Sequence, residues 1–209
     1  YQSTFFFRTS DNRIYKVLDN NAGTAYSGSE PTSESTSPFA LGGYILKYMY
    51  TITASEQTKY LTADFIPVST DSTVSAAAVD GKIESLQITA GSGYTDGTYY
   101  AAVYGDGTSA GTSSGAIVSI VVTSGAIVSF GLTAGTDTSI HDGGTEYTYG
   151  TVNLGASYTF SDTALSSASS MGSGTGGAVD VVISPKEGHG NDAVAELGGH
   201  YVMMRTTLT

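Results

Sequence analysis

Residues 80–91, DGKIESLQITAG, and residues 124–135, SGAIVSFGLTAG, are two copies of one pattern. Gly81 matches Gly125, Ile83 matches Ile127, Ser85 matches Ser129, and Thr89-Ala90-Gly91 matches Thr133-Ala134-Gly135, at a constant offset of 44 residues. Each copy sets a glycine turn before alternating apolar and polar residues and closes on a second glycine turn. The alternation has the period of two that a half-buried strand requires. Between the copies, residues 116–122 (AIVSIVV) predict another strand, and Thr123-Ser124-Gly125-Ala126 suits a tight hairpin turn. Two copies are too few for a solenoid, so the pattern predicts a duplicated β-meander.

Composition agrees. The 209 residues include 27 glycines and 15 tyrosines but no tryptophan, and only 13% are charged. Thr and Tyr favour strands, and Gly supplies the left-handed positions of turns. Net charge is −11, from 8 basic and 19 acidic residues. A nucleic-acid binder needs a basic stripe to displace counterions from phosphate. The sequence has none, which argues against DNA or RNA as a partner and against attraction to an anionic membrane. No apolar run approaches the ~20 residues of a membrane span. Cysteine is absent, so no disulfide framework is available and an intracellular site of assembly is expected.

Outward from the repeats, residues 4–18 (TFFFRTSDNRIYKVL) predict a β-hairpin turning at Ser10-Asp11-Asn12. Residues 19–38 are polar, with Pro31 and Pro38 bracketing a Ser/Thr/Glu stretch; loops of this length tend to be functional or to lie against a partner. Residues 44–53 (YILKYMYTIT) predict a buried strand with Tyr44, Tyr48 and Tyr50 at even spacing on one face. Residues 54–61 suit one or two helical turns with Ser55 as N-cap. Beyond the repeats, Tyr147–Tyr149, Tyr158–Phe160, Val179–Ile183 and His200–Met204 read as strands, and residues 161–177 as a small-residue loop. Residues 192–197 form the best short helix, capped by Asn191 or Asp192 and stopped by Gly198-Gly199.

The chemical motifs are weak. Gly172-x-Gly174-x-x-Gly177 matches the dinucleotide string but precedes a strand, whereas pyrophosphate binding needs a helix N-terminus there. No Gly-Lys-Ser/Thr triplet exists. The Gly105–Gly111 loop carries one Asp, too few oxygens for calcium. His189, Asp192, Glu196 and His200 have residue types that suit zinc, but the glycines around both histidines put these outside the short helix, so no metal site is expected. With three histidines and no Gly-x-Ser-x-Gly elbow, the chain reads as non-enzymatic, without cofactor.

Both flanks resemble a known family. FRTSDNRIYKVLDNN (7–21), Glu30-Pro31-Thr32-Ser33, GGYILKYMYTI (42–52), Tyr60-Leu61-Thr62, Asp64–Val68 and ISPKEGHGNDAVAELGGHYVMM (183–204) look like the baseplate wedge subunit of T-even-type contractile-tailed phages and their marine relatives. The likeness covers roughly half the chain; Leu46 stands where the family pattern often has Trp. The resemblance implies a structural virion protein in the tail baseplate, assembled in the host cytoplasm, contacting other wedge proteins and without catalysis. The candidate assembly residues on these flanks are Tyr44, Lys47, Tyr48, His189, Asn191 and His200. The expected fold is mainly β, a multi-layered β-sandwich with a duplicated β-meander, long loops and one or two short helices. Its expected parts are an N-terminal β unit (1–70), a Gly-rich duplicated unit (71–154), and C-terminal strands with a short helix (155–209) that complete the N-terminal unit. Self-association remains open, and an extracellular filament or adhesin with glycan binding is the alternative.

Overall fold

The computed structural model describes residues 5–107 and 115–206. The chain is mainly β, with several antiparallel sheets and a few short helices. It forms two compact units. A central unit runs from Val79 to Glu187, and an outer unit combines the chain up to Ala78 with the chain from Gly188 onward. The changes fall at 78/79 and 187/188, where 70/71 and 154/155 were expected: Val74 packs with Tyr15 and Tyr48 of the outer unit, and the strand Thr175–Ile183 belongs to the central unit.

In the outer unit, β1 (Phe6–Arg8) and β2 (Arg13–Asp19) form the expected hairpin. With β3 (Phe39–Leu41) and β4 (Tyr44–Thr51) they build an antiparallel sheet in the order β1-β2-β4-β3. The near-continuous apolar run of β4 suits a strand covered on both faces, and its six inner residues are all buried. The β2–β4 register skips Met49, so Tyr48 lies opposite Tyr15 while Tyr50 lies opposite Ile14. One extra residue moves the remainder of the strand to the other face of the sheet. Tyr48 therefore packs with Tyr15 and Val74, and Tyr50 with Ile14, Ile52 and Leu197. The shared tyrosine face predicted from even spacing does not form.

Three helices flank this sheet. α1 (Ala54–Tyr60) begins with a capping box: Glu56 N donates to Thr53 Oγ1 at 3.2 Å and Thr53 N to Glu56 Oε2 at 2.8 Å. The cap is Thr53, and Ser55 lies inside the first turn, because only Thr53 has a Glu three residues on. α2 (Ser72–Ala76) is capped by Asp71 and buries Val74. α3 (Ala193–Glu196) is capped by Asp192, which accepts from Ala195 N at 3.0 Å, one of the two caps anticipated. After Gly198-Gly199 the chain runs on through Arg205 without entering a ladder, so the strand expected at 200–204 is absent.

The central unit holds β5 (Ile83–Ser92), β6 (Gly97–Gly105), β7 (Ile117–Thr123), β8 (Ala126–Ile127), β9 (Ser139–Asp142), β10 (Gly150–Val152) and β11 (Thr175–Ile183). β11 pairs β5, while β10, β6, β7 and β8 lie side by side in that order, with β9 also on β7. Ile83, Leu86, Val103, Val118, Ile120 and Val179 are among the residues of one apolar core. The β7–β8 turn has Ser124 and Gly125 both at positive φ (54° and 76°), the geometry of a primed hairpin turn. Asp96 clamps it, accepting from Ser124 N at 3.0 Å and Gly125 N at 2.8 Å.

The two repeat copies part here. The first is the ten-residue β5, whereas the second yields only two strand residues before leaving the sheet. Gly131 stands where the first copy has Gln87, and a glycine inside a strand weakens it. The second copy instead turns back on itself, with Gly131 N donating to Thr138 O at 3.0 Å.

Residues 147–149 and 158–160, expected as strands, are irregular. Tyr147, Tyr158 and Phe160 are buried nonetheless, because side-chain and turn hydrogen bonds replace a ladder: Tyr147 OH accepts from Ala116 N at 3.0 Å, and Tyr158 OH donates to Asn153 O at 2.7 Å. The 161–177 loop contains a 3-10 turn, Ala168–Met171, that buries both its end residues. Gly177 of the glycine string lies within β11, and no helix comes directly after it. Asp106 accepts from Thr148 N at 2.8 Å and Tyr149 N at 3.2 Å; residues 108–111 of that loop lie outside the described residues.

Candidate assembly surface

Five of the six residues singled out on the flanks are engaged within the outer unit. Tyr44 is half-buried, donates to Thr24 O at 2.7 Å and meets the Tyr26 ring edge-on at 5.9 Å. Lys47 is buried, with Nζ donating to Thr36 O at 2.5 Å. Tyr48 is buried, its hydroxyl 2.8 Å from Thr51 Oγ1. Asn191 Oδ1 accepts from Ser75 Oγ at 3.1 Å. His189 is buried against Glu196, its Nδ1 hydrogen-bonded to Oε1.

The last of these belongs to a polar cluster that joins the His189 and Glu196 grouped in the sequence to Lys16, which the sequence does not place with them. Glu196 Oε1 also pairs with Lys16 Nζ at 2.7 Å, and Oε2 accepts from Gly190 N at 2.7 Å. The Lys16 and Glu196 side chains are 2% and 6% exposed. Burial alone would push the Glu196 carboxyl up, but the hydrogen bond and charge of His189, together with Lys16, hold it down at about 2. A carboxyl held below its ordinary range contributes stability that is lost as the pH falls through its folded-state value. Removing one member of such a buried pair leaves an uncompensated charge. The residue types alone gave no signal for Lys16, which is 180 positions from its partner.

Of the four zinc-like residues, His189 and Glu196 meet, Asp192 caps α3, and His200 stands apart on the surface. Among the described residues no three His, Cys, Asp or Glu side chains are arranged to hold a metal. No described helix is long and apolar enough to cross a membrane.

His200 opens onto a groove of about 620 Å³ with Phe6, Tyr60, Phe65, Leu197 and Tyr201 in its walls and Glu56 and Asp64 at its lining. The chain beyond it forms an apolar arm: Tyr201, Val202 and Met204 are 81%, 88% and 91% exposed. The Tyr201 ring meets Phe65 edge-on at 5.9 Å, and Arg205 Nη1 donates to Thr58 O at 3.1 Å. The apolar character of residues 201–204 is visible in the sequence, but it reads as a strand; nothing in it says that the strand lacks a ladder.

No family model matches the chain, and comparison with curated proteins and with solved structures finds no match either.

Proposed function

We propose that the chain is a structural subunit of a contractile-tail baseplate wedge, working through protein–protein contacts and not through catalysis, assembled in the host cytoplasm and carried in the virion. The observation that carries the reading is the exposed apolar arm at Tyr201, Val202 and Met204. Contiguous exposed apolar surface marks interaction sites, and this arm lies within the same flank, 183–204, that resembles wedge subunits. The outer unit as a whole is assembled from the two resembling flanks. Low charge density limits the desolvation cost of such contacts.

The fold reading extends in the same way. The β5–β11 pair and the β6–β7 sheet contribute side chains to one core, which supports a sandwich for the central unit. All four matched glycines, at 81, 91, 125 and 135, have positive φ, and Ile83 and Ile127 enter the same core. These correspondences support a duplicated segment whose second copy has diverged.

The test is a triple variant, Tyr201→Ser, Val202→Ser and Met204→Ser, expressed during infection with the natural copy removed. Exposed side chains contribute little to stability, so its melting temperature should match the parent. Mass spectrometry of purified tails should find the parent chain at a fixed low copy number and the variant missing. Normal incorporation of the folded variant would refute the reading, as would absence of the parent chain from tails.

A further inference from the structure

A second groove of the outer unit lies under the 20–38 loop, away from the arm in sequence, and has a different chemistry. It measures about 340 Å³, and Phe5, Phe7, Tyr26 and Tyr44 contribute aromatic rings to its lining. Among the described residues, Glu30 is the one charged side chain there. Both tyrosine hydroxyls are committed to the loop: Tyr26 donates to Ser29 O at 2.5 Å, and Tyr44 to Thr24 O at 2.7 Å. These two residues therefore present ring, not hydroxyl, to an occupant.

The parts are held in place before anything binds. The Tyr26 ring is seated between two glycines: a Cβ on Gly28 would come 2.3 Å from its hydroxyl oxygen, and one on Gly42 would come 2.4 Å from Cε2. Glu30 Oε2 accepts from Ser10 N at 2.8 Å and from Ser10 Oγ at 2.6 Å. Those two bonds, led by the side-chain one, keep the carboxyl below its ordinary range and so ionised. Oε1 has no part in them. Arg8, whose charge acts on Glu30 in the same direction, is turned to Asn12, with Nη1 donating to Oδ1 at 2.6 Å, and does not line the groove.

We propose that this groove receives an arginine side chain from a basic partner protein. An ionised carboxylate in an aromatic lining is complementary to a cation with an apolar stem, and the acidic chain as a whole, at −11, favours the same sign. Arginine fits better than lysine because its planar guanidinium stacks on rings while presenting a fork of donors to a carboxylate. Preorganised partners reduce the ordering cost of binding.

The assignment is independent of the arm and of the baseplate reading, and it is tested on the whole chain. N-acetyl-arginine methylamide is titrated while amide and aromatic shifts are recorded by NMR, alongside the neutral isostere N-acetyl-citrulline methylamide and the lysine analogue. Saturable shifts at Tyr26 and Tyr44 are expected with the arginine probe, with citrulline weaker by about threefold or more, as loss of a cation–π and charge contact implies. Glu30→Gln, which keeps an oxygen for Ser10, should reduce the arginine affinity to that of citrulline. Tyr26→Ala should weaken both probes, and its unchanged spectrum elsewhere checks the fold. Equal binding of arginine and citrulline, lysine binding as tightly as arginine, an unaffected Glu30→Gln, or no saturable shift would each overturn the assignment.

Discussion

The two copies of the glycine-flanked segment match at Gly, Ile, Ser and Thr-Ala-Gly and yet fold differently. Residues 83–92 form a full strand against β11, while residues 126–127 form a stub that ends in a curl. What the copies share are turn conformations and one buried anchor: positive φ at Gly81, Gly91, Gly125 and Gly135, and buried Ile83 and Ile127. What they do not share is the neighbour. At Gly91 a Cβ would lie 2.4 Å from Gly177 N; at Gly135 it would meet nothing within 4 Å. A local pattern specifies turns and an anchor, and a partner strand decides whether the rest extends.

The sharpest break in this comparison is the paired substitution at the closing glycines. Gly91→Ala forces backbone against backbone in the β5–β11 ladder and should cost about 3 kcal/mol or more. Gly135→Ala meets only left-handed strain and should cost about 1–2 kcal/mol. Urea midpoints of the two variants read the difference, and equal losses would show that the close approach to Gly177 carries no weight.

Leu86 and Phe130 occupy the same place in the two copies. Leu86 is fully buried and Phe130 only partly. Leu86→Ala should cost about 3 kcal/mol, in the range for buried leucines. Phe130→Ala should cost about 1–2 kcal/mol in proportion to the smaller area it hides. Thermal unfolding would rank them, and the reverse order would mean that the curl, not the strand, anchors the core.

Giving the second copy the residue of the first tests the point of departure. In Gly131→Gln the new Cβ would lie 2.4 Å from Asp137 Oδ2, so the Asp137 side chain must shift, at about 1–2 kcal/mol. The converse, Gln87→Gly, places glycine on an exposed strand position and should cost only about 0.5–1 kcal/mol. Hydrogen exchange would detect it: amides of β5 around residue 87 should exchange faster, while those of the 124–135 segment stay unchanged.

The same contrast explains what was readable from the sequence. The hairpin at Phe6–Asp19, the strand at Tyr44–Thr51 and the capped turn at Asp192 carry their signals within a few residues, and they stand close to where those signals put them. β6, Gly97–Gly105, carries no such signal: Ala101, Ala102 and Val103 are buried in succession, so both faces are covered at its centre and polar residues do not alternate with apolar ones. The tyrosine face failed for a bulge at Met49, which no local spacing announces. At the candidate surface, the burial of Lys47, Tyr48 and His189 depends on packing or hydrogen-bond partners from other segments, Thr36, Tyr15 with Val74, and Glu196. The Lys16–Glu196 pair and the Glu30 groove arise only when distant segments meet.

That pair has a consequence for the order of events during synthesis. The bond spans 180 positions, so at ribosomal rates roughly 10–40 s separate the emergence of its two halves. During that interval the N-terminal sheet lacks both its carboxylate and the Leu197 wall of its core, while residues 79–187 are already available to form a unit of their own. The outer unit, with its arm and the groove beside His200, is therefore completed only once residues 188–205 have emerged, after the chain of the central unit, whereas every residue lining the Glu30 groove emerges early.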